Sequence, residues 1–406
     1  MKKTLLTICL VWMCFSLSAQ KIIDLSGKWS FSIDRQDNGE KEKWFSHTLN
    51  DFINLPGSMP EKLKGDEVTA KTQWTGSLYD SSYYYNPYME KYRKEGNIKF
   101  PFFLTPDKHY VGAAWYQKEV NIPADWKGER ILLFLERPHI ETTVWVNGQK
   151  TGIQNSLCVP HQYDITRYVR PGKCTITIRV DNRIKEINVG PDSHSITDQT
   201  QGNWNGIVGR ICLQTTPKTY FDDIQIYPEP EQKLARVKVV IKGTGTAKVK
   251  LSAESFNTDK KHIVPAIQQE IKLNKGVTET EMVLPMGNDM LLWDEFHPAL
   301  YKLKAEVTNG KKTEIKEIQF GIRRFEIKGK WFYVNGRKTQ LRGTVENCDF
   351  PLTGYAPMDV ESWERVFRIC RSYGLNHMRF HSFCPPEAAF MAADRVGFYL
   401  QPEGPS

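Results

Sequence analysis

The sequence predicts a mostly β multidomain chain. A jelly-roll sandwich is expected over residues 20–217, an immunoglobulin-like sandwich over 218–322, and the first three strands of a (β/α)8 barrel over 323–406. Three observations carry this. Short alternating apolar runs fill the chain to about residue 217, a second all-β stretch follows to about Ile322, and the residues after Asn335 switch to a βαβαβ pattern.

Residues 1–19 combine Lys2 and Lys3, an apolar run from Leu5 to Leu17, and small residues at Ser16, Ser18 and Ala19. That layout is a secretory signal peptide. The run is shorter than the ~18 residues a spanning helix needs, and Cys14 lacks the small residues that precede a lipidated cysteine. A secreted or periplasmic protein without a membrane anchor is expected.

In the first domain, runs such as Ile131–Leu135, Thr143–Val146 and Thr175–Val180 are separated by Asn147-Gly148, Pro171-Gly172 and similar turns. This spacing fits a jelly roll, closed at Thr216-Pro217. A Tyr-rich insertion between Gln73 and Tyr110, with Tyr79, Tyr83, Tyr84, Tyr85, Tyr88 and Tyr92, is too long for a hairpin loop. With Trp74 its flat rings suit the C–H faces of sugars, although core packing and loop anchoring are commoner uses.

Seven short strands are expected in the second domain: 224–227, 235–241, 247–253, 267–273, 278–284, 301–307 and 313–320. Their number and spacing fit an immunoglobulin-like sandwich lacking the Cys-Trp-Cys hallmark of antibody domains. In the third, Asn335-Gly336 signals a type I′ hairpin and Gln340–Thr344 reads as a buried strand. Asp359 is an expected N-cap, and Val360, Trp363, Val366, Phe367, Cys370 and Tyr373 share a helical face ended by Gly374. A strand at 375–381, a helix from Pro386 to Gly397 and a strand at 398–401 complete the pattern.

The formal charge of +8 is spread among interleaved acids and bases, which gives no support to a nucleic-acid partner. Beyond residue 19 the cysteines are Cys158, Cys174, Cys212, Cys348, Cys370 and Cys384, scattered without metal-binding spacing. Isolated thiols are expected, with a Cys158–Cys174 pair as the alternative. Oligomeric state is not legible.

Local strings along the chain resemble glycoside hydrolase family 2, the β-galactosidases, β-glucuronidases and β-mannosidases. They include Leu25-x-Gly27-x-Trp29-x-Phe31, Leu55-Pro56-Gly57-Ser58-Met59, Ala114-Trp115-Tyr116, Val144-Trp145-Val146-Asn147-Gly148, Trp204-Asn205-Gly206-Ile207 and Asn335-Gly336-Arg337 before Leu341-Arg342-Gly343. The resemblance implies a sugar-binding-like jelly roll and retaining hydrolysis of β-linked sugars by two glutamates, at the ends of barrel strands four and seven. The sequence stops short of both, so no catalytic residue is assigned and the 406-residue chain is expected to be inactive alone. The substrate is an oligosaccharide or glycan, with galactoside the leading expectation, and no coenzyme is implied.

Four substrate-contact positions follow from the resemblance. Arg379 and His381 end barrel strand two, in the order Arg-Phe-His-Ser rather than Arg-x-Ser-His. Glu403 follows strand three, and Asp198 resembles an aspartate reaching from the jelly roll to sugar hydroxyls. A non-catalytic carbohydrate-binding protein and a nonfunctional truncated product are the alternatives.

Overall fold

The structure is a computed structural model that describes residues 20–77, 80–185, 190 and 192–405. The expected signal peptide and Tyr79 lie outside the described residues.

The jelly roll is two antiparallel sheets face to face. One runs in the order Ile22–Asp24, Gly206–Thr216, Arg130–His139, His161–Asp164, with Gly57–Ser58 joined to its second strand. The other runs Gln149–Asn155, Glu141–Val146, Gly172–Asp181, Ala113–Ile122, Gly27–Asp34, Asp51–Leu55. Alternate residues of each strand meet between the sheets, where Trp29, Phe31, Tyr116, Leu133, Val144 and Ile178 are buried. The indole N–H of Trp29 donates to the Leu25 carbonyl at 2.8 Å, so the core takes the large ring without orphaning its donor.

The second sandwich departs from the expected seven strands. The expected strands at 235–241 and 247–253 are one bent strand, Leu234–Phe256, and those at 267–273 and 278–284 are one strand, Ile263–Pro285. Between Gly243 and Gly245 the register shifts without breaking the ladder, so the glycines bend the strand where a turn was expected. Tyr220–Glu229, Leu300–Asn309 and Lys312–Gly321 complete the sheet around Val237, Val249, Leu251, Tyr301 and Leu303.

A small antiparallel meander, Phe325–Lys328, Trp331–Val334 and Arg337–Thr339, leads into the barrel segment, its last hairpin turning at Asn335 and Gly336 with φ of 51° and 78°. Three parallel strands follow: Gly343–Glu346, His377–Phe380 and Tyr399–Gln401. They are shorter than expected. The first begins at Gly343, because the Arg342 N–H and the Gln340 carbonyl bond to the Asn376 side chain before the parallel ladder starts. Between the strands run helices Val360–Ser372, capped by the Asp359 carboxylate on the Ser362 N–H at 2.8 Å, and Glu387–Val396, with Pro386 as its N-cap and Gly397 at φ 75° as its C-cap. Tyr373, expected on the apolar face, is instead the C-cap residue and is 81% exposed. Trp363, Phe367, Met378, Phe380, Ala389 and Phe398 close the core between helices and strands.

Side chains tie the barrel segment to both sandwiches. Asn376 donates to the Glu295 carboxylate at 2.6 Å and the Trp293 indole donates to the Asp394 carbonyl at 2.7 Å. The jelly roll reaches the barrel through Ser58, whose hydroxyl donates to the Thr353 carbonyl, and through Arg137. Among the described residues no helix is long and apolar enough to cross a membrane.

Gly206 sits where two strands approach closely. A Cβ there would lie 2.5 Å from the Gly57 carbonyl oxygen and 2.8 Å from the Ser58 Cα, at a φ of 150°. Backbone cannot yield as a flexible side chain does, so Gly206→Ala is expected to cost about 1–3 kcal/mol. A chemical-denaturation midpoint equal to wild type would contradict this.

Candidate functional site

In a parallel sheet, residues paired in register point to the same face. His377 pairs with Gly343 and Tyr399, and Arg379 pairs with Val345 and Gln401. Met378 and Phe380, one residue out of phase, are buried under the helices. Alternation therefore turns Arg379 to the face that lines a barrel interior, at the C-terminal strand ends where such folds place their chemistry. Glu403, two residues past Gln401, keeps that phase. Its carboxylate accepts from the Arg379 Nε at 2.5 Å and from the Ser382 N–H at 2.8 Å. The Ser382 N–H, then the Arg379 guanidinium, hold Glu403 below the ordinary carboxylate range.

Glu346 ends the first strand but belongs to the other face. It pairs with Phe380, on the helix side, and its carboxylate accepts from the Cys348 N–H at 2.8 Å. Burial pushes this carboxyl above its ordinary value. The two carboxyls, at the ends of the strands that flank His377–Phe380, are thus separated by the sheet.

The jelly roll holds this mouth with its 192–205 loop. The Ser195 hydroxyl donates to the Ser382 carbonyl at 2.6 Å, and the Gln201 amide donates to the His381 carbonyl at 2.8 Å. The His194 ring meets the His381 ring edge-on, centroids 4.9 Å apart. His381 thus joins Arg379 and Glu403 at the mouth. Ser382 is buried and held at φ 59°, a left-handed backbone that a serine adopts only when its surroundings fix it.

Asp198 has different neighbours. It is 2% exposed, and both carboxylate oxygens are engaged. One accepts from the Thr75 N–H at 2.6 Å and lies 3.2 Å from the His109 Nε2; the other accepts from the Asn203 N–H at 3.0 Å. These bonds tie the Tyr-rich insertion to the loop. Trp74 stacks on Phe103 at 4.8 Å and meets Phe100 and His109 edge-on, and Tyr83 is fully buried, whereas Tyr84, Tyr85 and Tyr88 are exposed. Asn205 then pins the loop's base: its amide donates to the Gly112 and Val180 carbonyls at 3.0 Å each and its oxygen accepts from the Tyr116 hydroxyl at 2.8 Å.

Sequence reasoning missed Ser195, Gln201, Ser382 and His194. Three act or are gripped through backbone groups, and no spacing marks such a contact. Among the described residues no group of three or more His, Cys, Asp or Glu side chains is arranged to hold a metal ion.

Comparison with known proteins finds family models over the two sandwiches. The family model described as glycosyl hydrolases family 2, sugar binding domain, covers residues 22–217, and a second, glycosyl hydrolases family 2, covers residues 219–323. The chain belongs to glycosyl hydrolase family 2. A β-glucuronidase from Paenibacillus borealis is 24% identical over 95% of this chain and 59% of its own length, and the Homo sapiens β-glucuronidase is 24% identical over 94% and 57%. A β-galactosidase from Thermoanaerobacter pseudethanolicus is 24% identical over 76% of the chain and 42% of its own length. Among solved structures, a Ruminococcus gnavus β-glucuronidase complexed with C6-substituted uronic isofagomine superposes at a TM-score of 0.69, with 20% identity, 95% of this chain and 60% of that one. The family 2 chain thus spans about three fifths of these three glucuronidases.

Two expectations follow. Removing the carboxylate by Asp198→Ala leaves the buried Thr75 and Asn203 N–H groups without their acceptors, at a cost of about 3 kcal/mol. Faster limited proteolysis within residues 80–104 would report the loosened insertion. Separately, His139, stacked on Trp204 at 4.5 Å, is wholly buried, and burial pushes its imidazole down from 6.5 to about 3. Between those values the unfolded chain takes up a proton that the folded chain refuses, so stability falls as pH drops through that window. In His139→Gln this part of the pH dependence of the denaturation midpoint should flatten.

Proposed function

We propose that this chain supplies the sugar-holding half of an exported, retaining exo-β-glycosidase. The observation that carries the reading is the inward-facing Arg379–Glu403 pair at the barrel strand ends, gripped from outside by the jelly-roll loop. A carboxylate held ionised by a guanidinium and a backbone N–H is a fixed acceptor for sugar hydroxyls, and the guanidinium beside it is a fixed donor. Arg379, His381 and Glu403 are assigned to substrate contact. Asp198, with both oxygens engaged, is assigned to holding the loop that carries the mouth. The signal-peptide layout of residues 1–19 supports export.

Retaining hydrolysis needs two carboxyls about 5–5.5 Å apart, one as nucleophile and one as acid. Glu403 and Glu346 are on opposite faces of the sheet, so this pair does not supply them. Hydrolysis therefore belongs to the whole enzyme, and these 406 residues contribute sugar contacts without turnover. The sequence points first to a galactoside; the glucuronidase names among the relatives support a β-glucuronide equally, and both substrates belong in the test.

The whole protein is expected to release p-nitrophenol from an aryl β-galactoside or β-glucuronide, with the β configuration kept in the first-formed sugar by NMR. Glu403→Gln should lower kcat/KM by about 100-fold, the scale of a misplaced substrate. The 406-residue chain should turn over neither. Saturable turnover by that chain, or a whole protein inert toward both glycosides, would sink the proposal.

A further inference from the structure

We propose that Cys158 and Cys384 form a redox-closable tether joining the jelly roll to the barrel beside the site loop. Cys158 lies in the jelly-roll loop between Gln149–Asn155 and His161–Asp164, and Cys384 is two residues beyond Ser382. One guanidinium holds both backbones: the Arg137 Nη1 donates to the Cys384 carbonyl at 3.0 Å and its Nη2 to the Cys158 carbonyl at 3.3 Å. The guanidinium is a rigid plane, so the two loops cannot separate while both bonds stand. Both cysteines also line one cavity of about 50 Å³ between the domains, with His139, Ser195 and Ser382 on its walls. After burial, the neighbouring Cys158 is what raises the Cys384 thiol, which puts the two groups close together, and both thiols are free.

This placement separates the pair from the remaining cysteines. Cys174 and Cys212 are buried in strands of opposite jelly-roll sheets. Cys348 shares the cavity, but burial pushes its thiol up to about 12, which leaves very little thiolate to react. It is the natural competitor for Cys384.

Closure is thiol–disulfide exchange with a small-molecule disulfide such as oxidised glutathione. One cysteine thiolate attacks the glutathione disulfide, expelling one glutathione thiolate and leaving a mixed disulfide. The second cysteine thiolate then displaces the other glutathione and forms the Cys158–Cys384 bond. Two protein thiols are oxidised, one glutathione disulfide is reduced to two thiols, and the cysteine protons pass through solvent to the departing thiolates. Burial raises the Cys384 thiol, so closure accelerates in alkaline buffer. The bond would fix the backbone two residues past Ser382, whose N–H holds Glu403. The tether is a property of the domain junction and stands or falls apart from the glycosidase reading.

The test is peptide mapping of the full chain after incubation with oxidised glutathione, alkylation of remaining thiols and digestion with trypsin. Peptides 151–167 and 380–395 should appear joined, separate after reduction, and form roughly tenfold more at about pH 8.5 than at pH 7. Cys348→Ser should keep the joined pair and Cys158→Ser should abolish it. If a cooperatively melting chain leaves Cys158 and Cys384 unlinked, carries glutathione on them without closing, or links Cys348 to Cys384, the tether is wrong. The readout is a mass, so it is unaffected by whether either glycoside is hydrolysed.

Discussion

Everything at the barrel mouth depends on how Ser382 is held. Its N–H faces Glu403, its carbonyl faces Ser195, and its backbone sits in a left-handed conformation that serine does not favour. A residue in that state persists where its neighbours over-determine it. Here two domains do so at once: the jelly roll from one side through Ser195 and Gln201, and the third barrel strand from the other through Glu403. The site is therefore a property of the junction between jelly roll and barrel.

That dependence explains why the 192–205 loop is built so rigidly. At one end Asn205 bonds to three jelly-roll partners, and Trp204 stacks on the buried His139. In the middle Asp198 collects N–H groups from both the insertion and the loop. A buried carboxylate is costly unless every oxygen is engaged, and full engagement leaves the segment little freedom. Rigidity at Asp198 is passed on to Ser195 and Gln201, and from them to the strand end that carries Arg379 and His381.

Much of this was legible in the chain. The helix facing Trp363 and Phe367 announced itself by apolar spacing, an Asp cap and a terminal glycine, each a local signal. Strand alternation predicts Arg379 and His381 on one face; the strand runs only to Phe380, so the alternation reaches Arg379 and the turn beyond sets His381. The second sandwich was less legible, since glycines that look like turns in sequence are bends in long strands once the partner strand supplies hydrogen bonds on both sides. Asp198 shows a different limit. Its neighbourhood in sequence resembles a sugar contact, but its carboxylate is 123 positions from the Thr75 N–H it accepts from, and such a partner leaves no mark in local pattern. The same holds for Ser195 and Ser382, separated by 187 positions and joined through a backbone carbonyl.

The face that a carboxylate occupies decides its chemistry more firmly than its distance along the chain. Glu346 and Glu403 both follow barrel strands, and their surroundings push their protons in opposite directions: burial favours the protonated form of Glu346, while the Ser382 N–H and Arg379 favour the ionised form of Glu403. On one face, at the right spacing, such a divergence would describe an acid and a nucleophile. On opposite faces it describes two unrelated tasks. Glu346 braces the turn into Cys348 beneath the jelly roll, and Glu403 fixes the guanidinium that points into the barrel. Under the proposed function, a glycosidic bond at the mouth would meet the carboxylate of Glu403 and the guanidinium of Arg379. On that same proposal, the geometry of the sheet gives Glu403 and Arg379 the task of holding the sugar.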